Sequence, residues 1–310
     1  FTAFAALGSG LGLLLEGLDR RVQTSRQVEQ ALGVPSLGVM PYIRRRRWRD
    51  RPANYLFEHP FTYYAEAAQS IVVQLDAAIG DPGPDALVVT SALPGEGKTT
   101  LAVSLAAALA RAGLKVCVLD LDLRRPSIAA RLGVGQARPD LMDHLAGHCG
   151  LNELVRHAPQ GGFDVVPVAR PSENALMLLK SAAFVQTWND LRARYDIVVV
   201  DTAPMLALSE TQAVCRLARH FVVATRWRHT DTVATGEVIH RLSALNPSFI
   251  GTVLTMVDVE RLADDTVAPD VNQVAADYSV NGTVVDGYTS VSVTVRGVTV
   301  DMNAPVFDLA

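Results

Sequence analysis

Ser91-Ala92-Leu93-Pro94-Gly95-Glu96-Gly97-Lys98-Thr99-Thr100 is the stretch of this chain best suited to chemistry. Two glycines flank a glutamate, and a lysine and two hydroxyl residues follow at once. Glycines at 95 and 97 let main-chain N–H groups close on phosphate oxygens, and a helix starting near Thr99 adds partial positive charge. Lys98 is placed to bridge terminal phosphates, and Thr99 to put its hydroxyl on Mg²⁺. Pro94, Gly95, Glu96, Gly97, Lys98, Thr99 and Thr100 are therefore the candidate nucleotide-binding residues. Ala92 stands where the strict pattern has its first glycine, and a small residue is tolerable there. The competing reading, an ordinary glycine turn before a helix, explains none of the lysine–threonine spacing.

Two acidic strand ends accompany the loop. One is Val118-Leu119-Asp120-Leu121-Asp122-Leu123-Arg124-Arg125-Pro126, and the other is Ile197-Val198-Val199-Val200-Asp201-Thr202-Ala203-Pro204. Ligands of open α/β sheets sit outside the carboxyl ends of the strands, so an aspartate closing an apolar strand is aimed at the loop. Asp201 is expected to hold Mg²⁺ through water. Taken alone, either aspartate reads more readily as a turn or N-cap residue; the P-loop upstream turns that reading towards the site.

The elements that position these groups follow from hydropathy. Apolar runs at Ala86–Thr90, Lys115–Leu121, Asp164–Val168, Ile197–Val200, His220–Thr225 and Phe249–Leu254 alternate with helix-length segments. Short Val/Ile-rich runs so separated predict an α/β fold, a mostly parallel sheet flanked by helices. Phe61–Ile79 reads as a helix, and Asp81-Pro82-Gly83-Pro84 breaks the chain before the first strand. The 310 residues are 49% apolar, enough for one large core, and carry a net charge of −4. That balance argues against a nucleic-acid binder. Cys117, Cys149 and Cys215 form no CxxC pair and read as reduced thiols. His144, His148 and His157 match no common metal spacing. Ser209 has no evident His/Asp partner arrangement, leaving a hydrolase triad unsupported.

Phe1–Leu15 carries no charge, whereas Glu16, Asp19, Arg20 and Arg21 follow, and Arg44–Arg47, Arg49 and Arg51 lie further on. The apolar stretch fits either a buried helix or the end of a transmembrane helix. The arginines fit either a solvated loop or contact with anionic lipid on the cytoplasmic side. The expected organisation is 1–15 as the end of a membrane helix, 16–60 as a Pro/Arg-containing connector, 61–262 as the P-loop domain and 263–310 as an atypical tail. In that tail Val291–Val300 alternates like a hairpin. An added strand pair, a disordered end and an artefact remain open for it.

The loop, Asp120-x-Asp122-x-Arg124 and Asp201-Thr202-Ala203-Pro204, in that order, resemble the bacterial tyrosine kinases (BY-kinases). Upstream, Leu15–Arg20, Val28–Pro35 and Leu37–Pro41 are similar to the segment that follows the second membrane helix of polysaccharide co-polymerases. The resemblance covers nearly residues 1–262. It implies an ATP- and Mg²⁺-dependent protein-tyrosine autokinase governing exopolysaccharide or capsule polymerisation, chain length and export. It implies an inner-membrane protein with a cytoplasmic kinase domain, partnered by itself and by the polymerase and export machinery. Mapped by motif, Lys98, Asp120, Asp122 and Asp201 are catalytic, with Asp120 the base for the acceptor hydroxyl. Thr99, Asp122 and Asp201 surround the metal, and Arg124 orients the loop or reaches phosphate. Tyr278 and Tyr288 are the acceptors available in the tail.

Three departures stand out. The helix before the core has Glu66, Gln69 and Val72 where the family carries Glu-x-x-Arg-x-x-Arg for ring-like assembly, so weak self-association is expected. Thr255 replaces an asparagine near the base. The tail lacks a tyrosine cluster. A nucleotide-dependent regulatory module without efficient tyrosine transfer is the alternative implied. A partition or division-site ATPase is the outsider, disfavoured by Leu93 where those proteins carry lysine.

Overall fold

The computed structural model describes residues 21–43, 55–56, 58–59, 61–80, 86–134, 138–158, 161–172, 174–207, 210–259, 261–262, 278–285, 288–295 and 298–305. The chain divides into two compact units, Phe1–Val257 and Asp258–Ala310. In chain order, the first unit presents α1 (Ser25–Leu32), β1 (Ser36–Pro41), α2 (Tyr63–Ile79), β2 (Ala86–Ser91), α3 (Lys98–Arg111), β3 (Val116–Leu121) and α4 (Ile128–Leu132). It continues with β4 (Arg156–His157), β5 (Asp164–Val166), α5 (Ala182–Arg194), β6 (Ile197–Thr202), β7 (His220–Arg226), α6 (Thr232–Ser243) and β8 (Phe249–Val257).

These strands form one eight-stranded sheet in the order β1-β8-β7-β2-β6-β3-β5-β4. All neighbours are parallel except β4, which runs against β5. The central strands β2, β3 and β6 are buried on both faces, so they are apolar at every position rather than at alternate ones. One face (Leu87, Val89, Val118, Val199, Val222) packs under α2 and α3. The other (Val88, Leu119, Val200, Phe221, Val223) packs under α5 and α6. Helix α3 is sandwiched tightly enough that ten of its fourteen residues are buried, and alanines and one serine let it approach the sheet. Its Ser104 hydroxyl bonds the Tyr64 phenol of α2 at 2.6 Å.

Local chemistry sets the boundaries. Helix α2 begins at Tyr63 rather than at Phe61 because the Thr62 hydroxyl accepts from Ala65 N–H and caps it. Strand β5 stops at Val166, before Pro167, which has no N–H to donate. Strand β6 continues two residues beyond Val200, and Asp201 lies within the strand, opposite Asp120 of β3.

The largest difference from the sequence reading concerns the expected 16–60 connector. Residues 21–41 are part of the domain. The Thr24 hydroxyl caps α1, and Gly33 ends it in the left-handed region at φ 66°. Strand β1 then pairs in parallel with β8 at the edge of the sheet. Leu37 and Met40 are buried in the core with Ile71 of α2. Ahead of α1, Val22 N–H donates to Thr230 O, Arg228 N–H donates to Val22 O, and the Trp227 indole donates to Gln23 O at 2.8 Å. Prolines disguise this strand in the sequence, but an edge strand tolerates them. Among the described residues no helix is long and apolar enough to cross a membrane, and Phe1–Leu15 and Arg44–Arg51 lie outside them.

The second unit is an antiparallel sheet of β9 (Tyr278–Val285), β10 (Tyr288–Val295) and β11 (Val298–Pro305). The alternation at 291–300 spans parts of β10 and β11, and β9 is a third strand that the sequence reading did not name. Tyr278 and Tyr288 each open a strand.

Because Leu37 is buried against the β8 backbone and α2, Leu37→Ala is expected to lower the unfolding free energy by about 2–4 kcal/mol in urea titration. A change below about 0.5 kcal/mol, the value typical of a surface position, would show that β1 is not part of the cooperative unit.

Candidate active site

The loop between β2 and α3 leaves the sheet at its centre. Gly97 caps α3 with φ 84°, which favours glycine, and Lys98 opens the helix. The loop is braced from below by Glu96, which is fully buried. One carboxylate oxygen accepts from Leu93 N–H at 2.6 Å, and the other accepts the Thr230 hydroxyl. The Glu96 carbonyl accepts the Thr255 hydroxyl at 2.5 Å. Burial raises the Glu96 carboxyl, and bonds from Leu93 and Thr230 pull it back. The Glu96 side chain thus points into the protein, which leaves the main chain as its only means of meeting a phosphate.

Lys98 Nζ donates to Asp122 Oδ2 at 3.0 Å, with both side chains largely buried. Asp122 Oδ1 accepts Arg125 N–H and so closes the turn after β3. Asp120 accepts three main-chain N–H groups: Asp122 on Oδ1, and Ser127 and Ile128 on Oδ2. It is fully buried and tethers the start of α4. The expected base for an acceptor hydroxyl is thus also an anchor for the turn after β3 and the start of α4. Arg124 is exposed on the turn. Arg131 of α4 was not singled out from the sequence, yet it sits beside Thr100.

Asp201 contrasts with Asp120. Both of its carboxylate oxygens are buried, and neither has a hydrogen-bond partner. The Thr99 hydroxyl faces it without meeting hydrogen-bond geometry, and together with Lys98 and Arg131 it favours the charged form. Burial outweighs them and raises the Asp201 carboxyl. Asp120 is raised by burial first and by Asp201 second. A buried, unpaired carboxylate beside a hydroxyl and a lysine is a donor set short of a cation, and it fits Mg²⁺, which takes oxygen ligands. Among the described residues no three His, Cys, Asp or Glu side chains are arranged to hold a metal by themselves. An ion here would complete its shell with phosphate oxygen and water.

Beside the loop, an apolar cleft has about 520 Å³ of empty space, part of it open to solvent. It is lined by Met40, Tyr42 and Ile43 at the end of β1, Thr100 of α3, and Thr255 and Met256 of β8. Thr230 and the residues of β1 are site components that sequence reasoning missed. No motif marks them, and only the strand order brings them to the loop.

A glycine loop with two strand-borne aspartates at the centre of a parallel sheet defines the P-loop NTPase class. A family model described as an AAA domain matches residues 87–245. The putative tyrosine-protein kinase EpsB of Ralstonia solanacearum is 30% identical over 217 residues, covering 70% of this chain and 27% of that protein. The succinoglycan biosynthesis transport protein ExoP of Rhizobium meliloti is 22% identical over 284 residues, covering 83% of this chain and 36% of its own length. The solved kinase domain of Escherichia coli tyrosine kinase ETK superposes with a TM-score of 0.69 at 28% identity, covering 76% of this chain and 95% of that one. The chain belongs to the AAA-domain family and, within it, to the bacterial tyrosine kinases. It spans roughly a quarter to a third of the length of these two curated relatives.

A carboxyl raised by folding binds its proton more tightly in the folded state. The stabilisation is complete below the ordinary carboxylate range and is lost as pH climbs through the raised value. Asp201→Asn is therefore expected to melt above the parent at about pH 8 without ligand, with the gap narrowing below about pH 6 and closing towards about pH 4. Thermal melts across that range test it, and a gap that does not change with pH would contradict it.

Proposed function

We propose that this chain is the nucleotide-dependent kinase portion of a membrane-associated polysaccharide co-polymerase, transferring the terminal phosphoryl group of ATP to tyrosine. The observation that carries this reading is the orphaned Asp201 carboxylate beside Thr99, Lys98 and the glycine loop. The relatives named as tyrosine kinases and as a transport protein of succinoglycan biosynthesis support the role in exopolysaccharide or capsule assembly at the inner membrane.

In this reading the main-chain N–H groups of residues 94–100 cradle the phosphates. Lys98 leaves Asp122 for the terminal phosphate, where its charge offsets the charge that builds during transfer. Mg²⁺ would be held by the Thr99 hydroxyl and, directly or through water, by Asp122 and Asp201, and it supplies Lewis-acid neutralisation of phosphate charge. Asp120 keeps α4 and the turn carrying Asp122 in register with the loop. The base of the nucleotide occupies the cleft beside Thr100, against Tyr42, Ile43 and Met256. The acceptor is a tyrosine, with Tyr278 and Tyr288 the tail candidates, and Arg124 lies on the exposed rim where an incoming chain would approach. Self-association through the exposed face carrying Glu66 and Gln69 is weak.

The second reading, a regulatory ATPase without efficient tyrosine transfer, is favoured by the occupied Asp120 carboxylate. One experiment separates the two: incubation with Mg-ATP followed by phosphotyrosine blotting and titration of bound ADP. Phosphotyrosine that is lost in Lys98→Met supports the kinase. Nucleotide binding without phosphotyrosine supports the regulatory module. Lys98→Met is expected to abolish nucleotide binding while leaving the melting temperature of the ligand-free protein within a few degrees of the parent. Equal affinity in variant and parent would refute the loop assignment.

The cleft also predicts weak discrimination between bases. Thr255 lacks an amide, and its hydroxyl is already committed to the Glu96 and Thr225 carbonyls. Packing against apolar walls discriminates far less than paired hydrogen bonds do, so ATP and GTP are expected to bind within about tenfold of each other. A preference for ATP above about a hundredfold would show that some other group reads the base.

A further inference from the structure

A second charged group besides Lys98 lies beside the loop. Arg131 lies on α4, and its guanidinium Nη1 donates to the Thr100 hydroxyl at 3.4 Å, while Nε donates to Ser127 Oγ at 3.3 Å. Both bonds are long for N–H···O contacts, and both of these acceptors are neutral. Thr100 belongs to the first turn of α3, where N–H groups point outward and phosphate is favoured. The base of α4 is fixed, because Ser127 and Ile128 N–H are tied to Asp120. The side chain therefore extends from an anchored turn to the phosphate-facing start of another helix. Arg131 is half-buried, so its charge is only partly screened. Electrostatically it reaches as far as Asp201, whose charged form it favours.

We infer that Arg131 is a second phosphate-directed cation of this site, resting on the Thr100 hydroxyl and moving onto the phosphate chain of a nucleotide held by the loop. The inference rests on the nucleotide-binding reading above. A guanidinium offers paired N–H donors that fit phosphate oxygens. Lys98 serves the terminal end of the chain, whereas Arg131 approaches from the Thr100 side. The two cations thus address different phosphates, and Arg131 does so from within the same chain.

The test is calorimetric titration of the full 310-residue chain with ADP in the presence of MgCl₂. Parent, Arg131→Ala, Arg131→Lys, Thr100→Ala and the double variant Thr100→Ala/Arg131→Ala are compared. Arg131→Ala is expected to weaken ADP binding about tenfold to a hundredfold, as loss of a charged hydrogen-bonding partner does. Arg131→Lys is expected to recover part of that loss. A similar loss is expected when Arg131→Ala is introduced into the Thr100→Ala background. Unchanged affinity in Arg131→Ala overturns the inference. So does a loss that vanishes in the Thr100→Ala background, since Arg131 would then only position that hydroxyl. Should Arg131→Ala melt well below the parent, Arg131→Gln takes its place under the same criteria. A parent that binds no ADP fails the nucleotide reading itself, whereas a parent that binds ADP normally beside an unaffected Arg131→Ala fails the inference alone.

Discussion

Three carboxylates and one lysine share a site from which water is largely excluded, and much of the domain's architecture answers that imbalance. Asp120 and Asp201 face each other across neighbouring strands, and Asp122 follows within two residues. Charge so confined is costly unless it is paired or hydrogen-bonded. The fold resolves two of the three cases internally. Asp120 is quenched by main-chain N–H groups, and Asp122 by Lys98. Asp201 is left with neither. That residue holds the site in a condition that a divalent ion and a polyphosphate would relieve, and the unmet cost of its burial is stability withheld from the ligand-free domain.

The loop that must receive the phosphates cannot rely on its own sequence for rigidity, because glycines at 95 and 97 remove side-chain packing. The rigidity comes from outside. Glu96 is held at three points, by Leu93 within the loop, by Thr230 beyond β7 and by Thr255 on β8. The same contacts explain why Thr255 is poorly suited to reading a base: its hydroxyl is already used to hold the loop.

Much of this was legible in the sequence, and the parts that were not share a cause. Lys98, Thr99, Asp122 and Asp201 are recognisable because their chemistry is local: a residue type at a fixed offset from a strand end or a glycine. The central strands are legible because burial on both faces makes each an uninterrupted apolar run. Strand β1 was hidden because Pro35, Gly38 and Pro41 punctuate it, and its partner β8 lies more than two hundred residues away. Thr230 is an ordinary threonine until strand order brings it beneath the loop, and Thr255, marked in the sequence only as a departure near the base, proves to brace the loop as well. The anchoring role of Asp120 was hidden for a related reason: its position at a strand end was readable, but the main-chain groups of the following turn that bind it were not. In the second unit, the alternation at 291–300 is plain, whereas Asn281 and Gly282 interrupt the pattern of β9.

The attachment of residues 21–24 has a mechanical meaning. Val22 hangs from the Thr230 carbonyl, and the hydroxyl of that same residue grips Glu96 under the phosphate loop. The polypeptide arriving from the N-terminal side is thus separated from the loop by a single threonine. Tension on that incoming segment would load Thr230 before it loaded β1, where the parallel hydrogen bonds to β8 resist as a shear joint. A tug from upstream and the arrival of a nucleotide would therefore act on opposite sides of one small bearing.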